Sequence, residues 1–248
     1  MRFQKIKIKY ILLFSIIILD LNAQENIQSA FTFNYNYQVP TENAKNIFGK
    51  NSAVGFSYFL ELEKNIIFGI ETNYLFGSDI NDSTIFENIS TSSGGIIGAD
   101  GHYANINLMQ RGFDSYLFTG YAIHQSKNNL SGIYILQGFG YIEKKIFIDT
   151  KNQNVPQLDE NMKKGYDQFS NGFSTKTSID YKYYHDKGRF QMSIGINYTM
   201  GYIKNLREYD FANNQYYSSK RRWSKLLGLK TEIIIPINRK NENEFHYY

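Results

Sequence analysis

The sequence predicts an all-β protein, an eight-stranded antiparallel up-and-down transmembrane β-barrel that follows an N-terminal signal peptide. Three observations predict it. Long stretches alternate large apolar with small or polar residues, most clearly Phe190–Tyr202, where Phe190, Met192, Ile194, Ile196, Tyr198, Met200 and Tyr202 fall at every second position. Successive β side chains point to opposite faces, so a period of two is a strand signal. The stretch is longer than the ~5–6 residues usual in soluble sheets and long enough for the ~9–11 residues of a bilayer-crossing strand. The connections alternate long and short along the chain. An up-and-down barrel would then gather the long loops on one rim and the tight turns, with both termini, on the other, as outer-membrane barrels do. Finally, the 248 residues include 21 Tyr and 19 Phe against one Trp. Such a composition suits much β surface and many rings at a membrane boundary.

Met1–Ala23 reads as a secretory signal peptide. Arg2, Lys5, Lys7 and Lys9 lead a short apolar run, Tyr10–Leu19, and Leu21-Asn22-Ala23 offers a cleavage site. Residues 24–248 are then one barrel domain. Of 27 basic and 23 acidic residues the signal holds four and one, leaving 23 against 22. The formal charge of +4 therefore belongs mostly to the signal, and no basic footprint for nucleic acid remains. The lack of cysteine excludes disulfides, thiolate metal sites and a lipid-modified N-terminal cysteine. No other apolar stretch is long enough for a transmembrane helix.

The first strand is Ala30–Gln38, with Phe31, Phe33, Tyr35 and Tyr37 on one face and Pro40 ending it. The second, Ala53–Leu62, sets Val54, Phe56, Tyr58 and Leu60 against Gly55, Ser57, Phe59 and Glu61. After a tight turn at Glu63-Lys64-Asn65, the third, Ile66–Phe76, sets Phe68, Ile70 and Tyr74 against Gly69, Glu71 and Asn73. A Ser/Asn/Gly-rich loop without strand period runs to about Gly101. The fourth strand lies within Tyr103–His124, clearest at Tyr116–Ile123, because the alternation breaks around Arg111-Gly112. Gln125–Asn129 turns into the fifth strand, Gly132–Ile148. Beyond the long loop Asp149–Ser170 come the sixth strand, Gly172–Tyr184, the turn His185–Gly188 and the seventh, Phe190–Tyr202. A loop at Asn205–Ser219 leads to the eighth, Arg222–Ile237.

Alternation alone leaves open whether the apolar face lines a soluble core, as in a lipocalin-like barrel or a sandwich, or meets lipid. Tyrosine decides between them. In a core Tyr35, Tyr37, Tyr58, Tyr74, Tyr141, Tyr181, Tyr183, Tyr198 and Tyr202 would each need a hydroxyl partner or cost about 1–3 kcal/mol. At a membrane boundary the same hydroxyls reach headgroups. The apolar face therefore points outward, and the lumen holds small residues with a charge network of Glu71, Lys176, Asp180, Lys182, Lys230 and Glu232. Eight strands enclose a space that side chains fill, so no open pore is expected.

Roughly the second half of the mature chain resembles a group of uncharacterised outer-membrane β-barrel proteins typical of Bacteroidota. The resemblance lies in Arg111-Gly112, Gly138–Ile146, Val155–Leu158, Lys164–Gly172 (K-G-Y-D-Q-F-S-N-G, the most specific piece), Arg221-Arg222, Ile234–Ile237 and the aromatic terminus. It implies an outer-membrane location with long loops outside and termini in the periplasm, and it adds no chemistry. An accessory part in an envelope secretion or gliding machine follows only from that lineage.

No phosphate-binding glycine loop, HExxH or EF-hand pattern is present, and no cofactor or metal is expected. His102, His124, His185 and His246 are dispersed without metal-ligand spacing. A lipid-modifying hydrolase would have to draw on His102 or His124, yet no serine sits on a recognisable strained turn, so no catalytic residue is assigned. Arg221, Arg222 and Trp223 on the long-loop rim are candidates for lipopolysaccharide phosphate, since guanidinium forks bind phosphate bidentately. The loop Val155–Asp167, with Lys164, Tyr166 and Asp167, is the candidate for contact with a surface or secretion-system protein, with Leu158 and Tyr166 expected to be exposed. The remaining expected partners are outer-membrane lipid and the barrel-assembly machinery.

Overall fold

The alternating stretches pair into one closed ring. The computed structural model describes residues 28–237, apart from 63, 127–128, 186–190 and 219. The expected signal peptide, most of the turn after His185, Phe190 and the aromatic terminus lie outside the described residues. The strands are β1 Gln28–Thr41, β2 Asn51–Glu61, β3 Ile66–Gly77, β4 Asn107–Ser126, β5 Asn129–Asp149, β6 Ser170–Tyr183, β7 Gln191–Asn205, the two-residue β8 Tyr209–Asp210 and β9 Gln215–Tyr216, and β10 Arg222–Pro236. β8 and β9 form their own small hairpin. The other eight close in the order β1-β10-β7-β6-β5-β4-β3-β2, each pair antiparallel. Closure between β1 and β10 leaves no sheet edge to cover.

Two sequence expectations give way here. Pro40 does not end β1: it is paired with Leu226, and Thr41 beyond it with Lys225. One missing N–H this close to a strand end leaves the ladder intact. The apparent break at Arg111-Gly112 is not a break either, because β4 pairs without a shift from Asn107 to His124. Gln110, Asp114 and Tyr116 keep the inward face, and the long Arg111 side chain turns outward over Phe147. A charged residue on the apolar face had obscured the period.

Polarity is inverted relative to a soluble barrel. Phe33 is 59%, Leu117 68% and Met192 66% exposed, whereas Thr32, Asn36 and Asp180 are 0% exposed. The nine tyrosines assigned to the apolar face all point outward, half-buried or exposed. The connections at 42–50, 78–106, 150–169 and 206–221 share one end of the barrel, and the tight connections share the other. No helix among the described residues is long and apolar enough to cross a membrane.

The lumen is layered. At the tight-turn end Phe59, Ile67, Phe118, Tyr134, Leu136 and Tyr184 form an apolar floor. Its large rings are a departure from the small residues expected inside. A belt of charged side chains lies above the floor, followed by a thin apolar layer of Ala53, Leu75, Ile142, Ile203 and Leu226. β4 and β5, 20 and 21 residues long, outrun their neighbours and carry Ile146 and Ile148 up into the long loops. There Phe48, Ile85, Ile96, Val155, Leu158 and Tyr166 join them in a second core, which caps the barrel mouth.

Candidate functional site: the charged lumen and the barrel mouth

The six charged residues named from the sequence meet in one belt. Alternation on β3, β6 and β10 sends them all inward, and the registers bring them to similar depth. Lys176 Nζ donates to Glu71 Oε1 at 2.7 Å and lies 3.8 Å from Asp114. Lys230 Nζ is 3.0 Å from both Asp180 and Glu232 and 3.9 Å from the second Glu71 oxygen. Lys182 is 4.0 Å from Glu232 and rests over the Phe59 and Tyr134 rings at 3.9 and 4.7 Å. Every lysine therefore faces a carboxylate, as burial in a low-dielectric space demands. Gly195 makes this possible: a Cβ there would sit 2.0 Å from Asp180 Oδ1. Beside Glu71 and Lys176 the remaining cavity is only about 10 Å³, space for about one water.

The sequence reading missed Asp114, because its inward position depended on the β4 register. It also missed the pairing of Glu61 with His124. His124 Nε2 lies 2.5 Å from Glu61 Oε1, and Tyr134 donates to the other Glu61 oxygen at 3.2 Å, at the floor of the barrel. His102 is far from this group, exposed in the long loop after β3. Among the described residues no cluster of three metal-ligating side chains is assembled.

The loop candidates divide. Tyr166, at the end of a one-turn helix α1 (Lys163–Tyr166), and Leu158 were expected to be exposed; they are 4% and 2% exposed. Apolar residues spread singly through all four long connections meet here, and burying them together removes each from water. Gly165 allows it, since the Phe211 ring occupies the space a Cβ would take. Asp167, also expected at the contact surface, is buried and takes a forked ion pair from Arg207. That hydrogen bond, with the charge of Asp167, raises the Arg207 pKa above its ordinary value. Lys164 remains exposed, its ammonium on Asn161. On the outward side of this loop 156–157, 159–162 and Lys164 are open to solvent.

The rim trio sits where β10 begins. Trp223 points outward and packs on Tyr202 at 4.8 Å between centroids. Arg221 is exposed, donates to the Tyr202 carbonyl at 3.2 Å and lies over the Tyr202 ring. Arg222 turns inward instead and donates to Asn205 Oδ1 at 3.1 Å. Arg221 and Arg222, together with Lys220, Gln168 and Asn205, line a cavity of about 560 Å³ at the barrel mouth.

No family model and no curated protein matches the chain. Among solved structures it is similar to the Neisserial surface protein A, at 10% identity over 85% of this chain and 99% of that one, with a TM-score of 0.43. It is also similar to Ail, the attachment invasion locus protein of Yersinia pestis, at 9% identity over 86% and 100%, with a TM-score of 0.43. A third is the outer membrane protein OprG from Pseudomonas aeruginosa, at 9% identity over 86% and 98%, with a TM-score of 0.38. Similarity this low says nothing of a ligand or an activity.

Proposed function

We propose that this chain is an outer-membrane β-barrel protein whose sealed barrel carries the long loops at the cell surface, with a structural or partner-binding role rather than a conducting one. The inverted polarity carries the reading. An apolar and aromatic outer face around a closed ring would, in water, exceed the few hundred Å² of contiguous apolar patch that soluble proteins tolerate. Lipid removes that cost. The paired charge belt and the apolar floor fill the lumen, which argues against a channel. The signal peptide at Met1–Ala23 and the resemblance of Lys164–Gly172 to Bacteroidota outer-membrane barrels support export to that membrane. Its partners are then outer-membrane lipid and lipopolysaccharide, the barrel-assembly machinery during insertion, and a protein at the loop surface.

An unboiled sample should migrate differently from a boiled one on a denaturing gel, and the protein should fractionate with outer membranes. Identical migration together with a periplasmic fraction would sink the proposal. Ile196 is 55% exposed on the outer face, and Ile196→Arg should cost ~2–4 kcal/mol of folding into vesicles. Its neighbour Asn197 faces the lumen, so Asn197→Ser should affect insertion much less. The reverse order would mean that the outer face does not meet lipid.

A further inference from the structure

We propose that the cavity at the barrel mouth binds a phosphate-type anion, held by Arg222 with Lys220 and Arg221 and seated above the buried ammonium of Lys144.

Lys144 carries the inference. It is 2% exposed and crosses the lumen from β5 to donate to Ser224 Oγ at 2.7 Å, with its ammonium 4.4 Å from the Phe48 ring centroid. Every lysine of the belt below has a carboxylate, whereas among the described residues none is within ion-pair distance of Lys144. The charge that acts on it is another cation, Arg222. Ser224 and Arg222 share the inward face of β10 two residues apart, about 7 Å along the strand. Two cations thus converge where burial makes an uncompensated charge costly.

Ser170 lies in the same layer. It is fully buried and pairs in register with both Lys144 and Asn205, and its hydroxyl has no hydrogen-bond partner among the described residues. Neither Lys144 nor Ser170 lines the cavity itself, whose cations are Arg222, Arg221 and Lys220. Two carboxylates also line the cavity, Asp82 and Asp210, and the charge of Asp210 acts on Arg222. Asp82 accepts from Thr84 and Gln168, and Asp210 from Ala212 and Asn213. The lining still holds three cations against two carboxylates, with Lys144 buried beneath, and guanidinium forks suit phosphate oxygens. The phosphate could be borne by a soluble phosphosugar or by a lipopolysaccharide headgroup, and the second source rests on the reading that this rim faces outside.

The test uses the full chain refolded in detergent, with the heat-dependent gel shift as the folding control for every variant. Titration with inorganic phosphate should give saturable binding that weakens with salt. Arg222→Gln and Lys144→Met should each weaken it about tenfold or more, the loss expected for one charge-assisted hydrogen bond or one close charge. Lys151→Gln, in an exposed loop, should leave it unchanged. Competition by glucose 1-phosphate supports a soluble source, and competition by lipopolysaccharide-containing vesicles supports the headgroup. Absence of saturable phosphate binding by a correctly folded wild-type protein overturns the proposal, as does binding by both variants as tight as that of the wild type. Neither result would alter the gel shift, so the barrel reading is tested separately.

Discussion

The lumen belt and the barrel mouth are built from the same residue types and differ in their accounting of charge. In the belt Lys176, Lys182 and Lys230 are shared among Glu71, Asp114, Asp180 and Glu232, all within 4.0 Å of a partner. At the mouth Lys144 and Arg222 meet a serine, an asparagine and an aromatic ring instead. This network of opposite charges spans β3, β4, β6 and β10 and leaves none of its cations with capacity for an anion. Cations without a carboxylate keep theirs. Burial alone does not distinguish a structural charge from a binding one, whereas compensation does.

The contrast predicts a graded series, read as the denaturant midpoint for folding into vesicles. Lys230→Met should be the most damaging, because it leaves Asp180, Glu232 and Glu71 facing one another; breaking a buried ion pair costs ~3–5 kcal/mol. A loss below ~1 kcal/mol would mean that the belt does not hold the barrel together. Leu158→Ala opens the cap core, where such truncations cost ~2–5 kcal/mol, and should appear as faster protease cleavage of the long loops with the gel shift retained. If cleavage is unchanged, the cap is not a cooperative core. Arg207→Gln removes the forked partner of Asp167 and should cost ~1–3 kcal/mol, again confined to loop protection. Lys144→Met should have the smallest effect, within ~1 kcal/mol of neutral or stabilising, since it replaces a lone buried charge with an apolar chain. A loss as large as that of Lys230→Met would erase the distinction between the two regions.

Much of the fold was legible because one rule, alternation, operates residue by residue. It set the outward face of β1, β3, β6 and β7 within a few residues of their observed ends. It also sent Glu71, Lys176, Asp180, Lys182, Lys230 and Glu232 to the same side. Legibility failed where the rule was locally obscured, as at Arg111, and with it Asp114 was missed. It failed more broadly in the loops. Phe48, Ile85 and Leu158 lie on three different connections and follow no period, so nothing local announces that they share a core. Leu158 and Tyr166 therefore looked like exposed contact residues when they are packing.

Alternation, loop-length sorting and the excess of tyrosine are properties of consecutive residues, and they were enough to establish an inside-out barrel and the composition of its lumen. Partnership is not a local property. Which lysine met a carboxylate, which arginine turned inward and which loops closed over the mouth depended on strand register and ring closure, which bring together residues as distant as Lys144 and Ser224. Charge in water is nearly indifferent to its neighbours, but charge inside a barrel is governed by them.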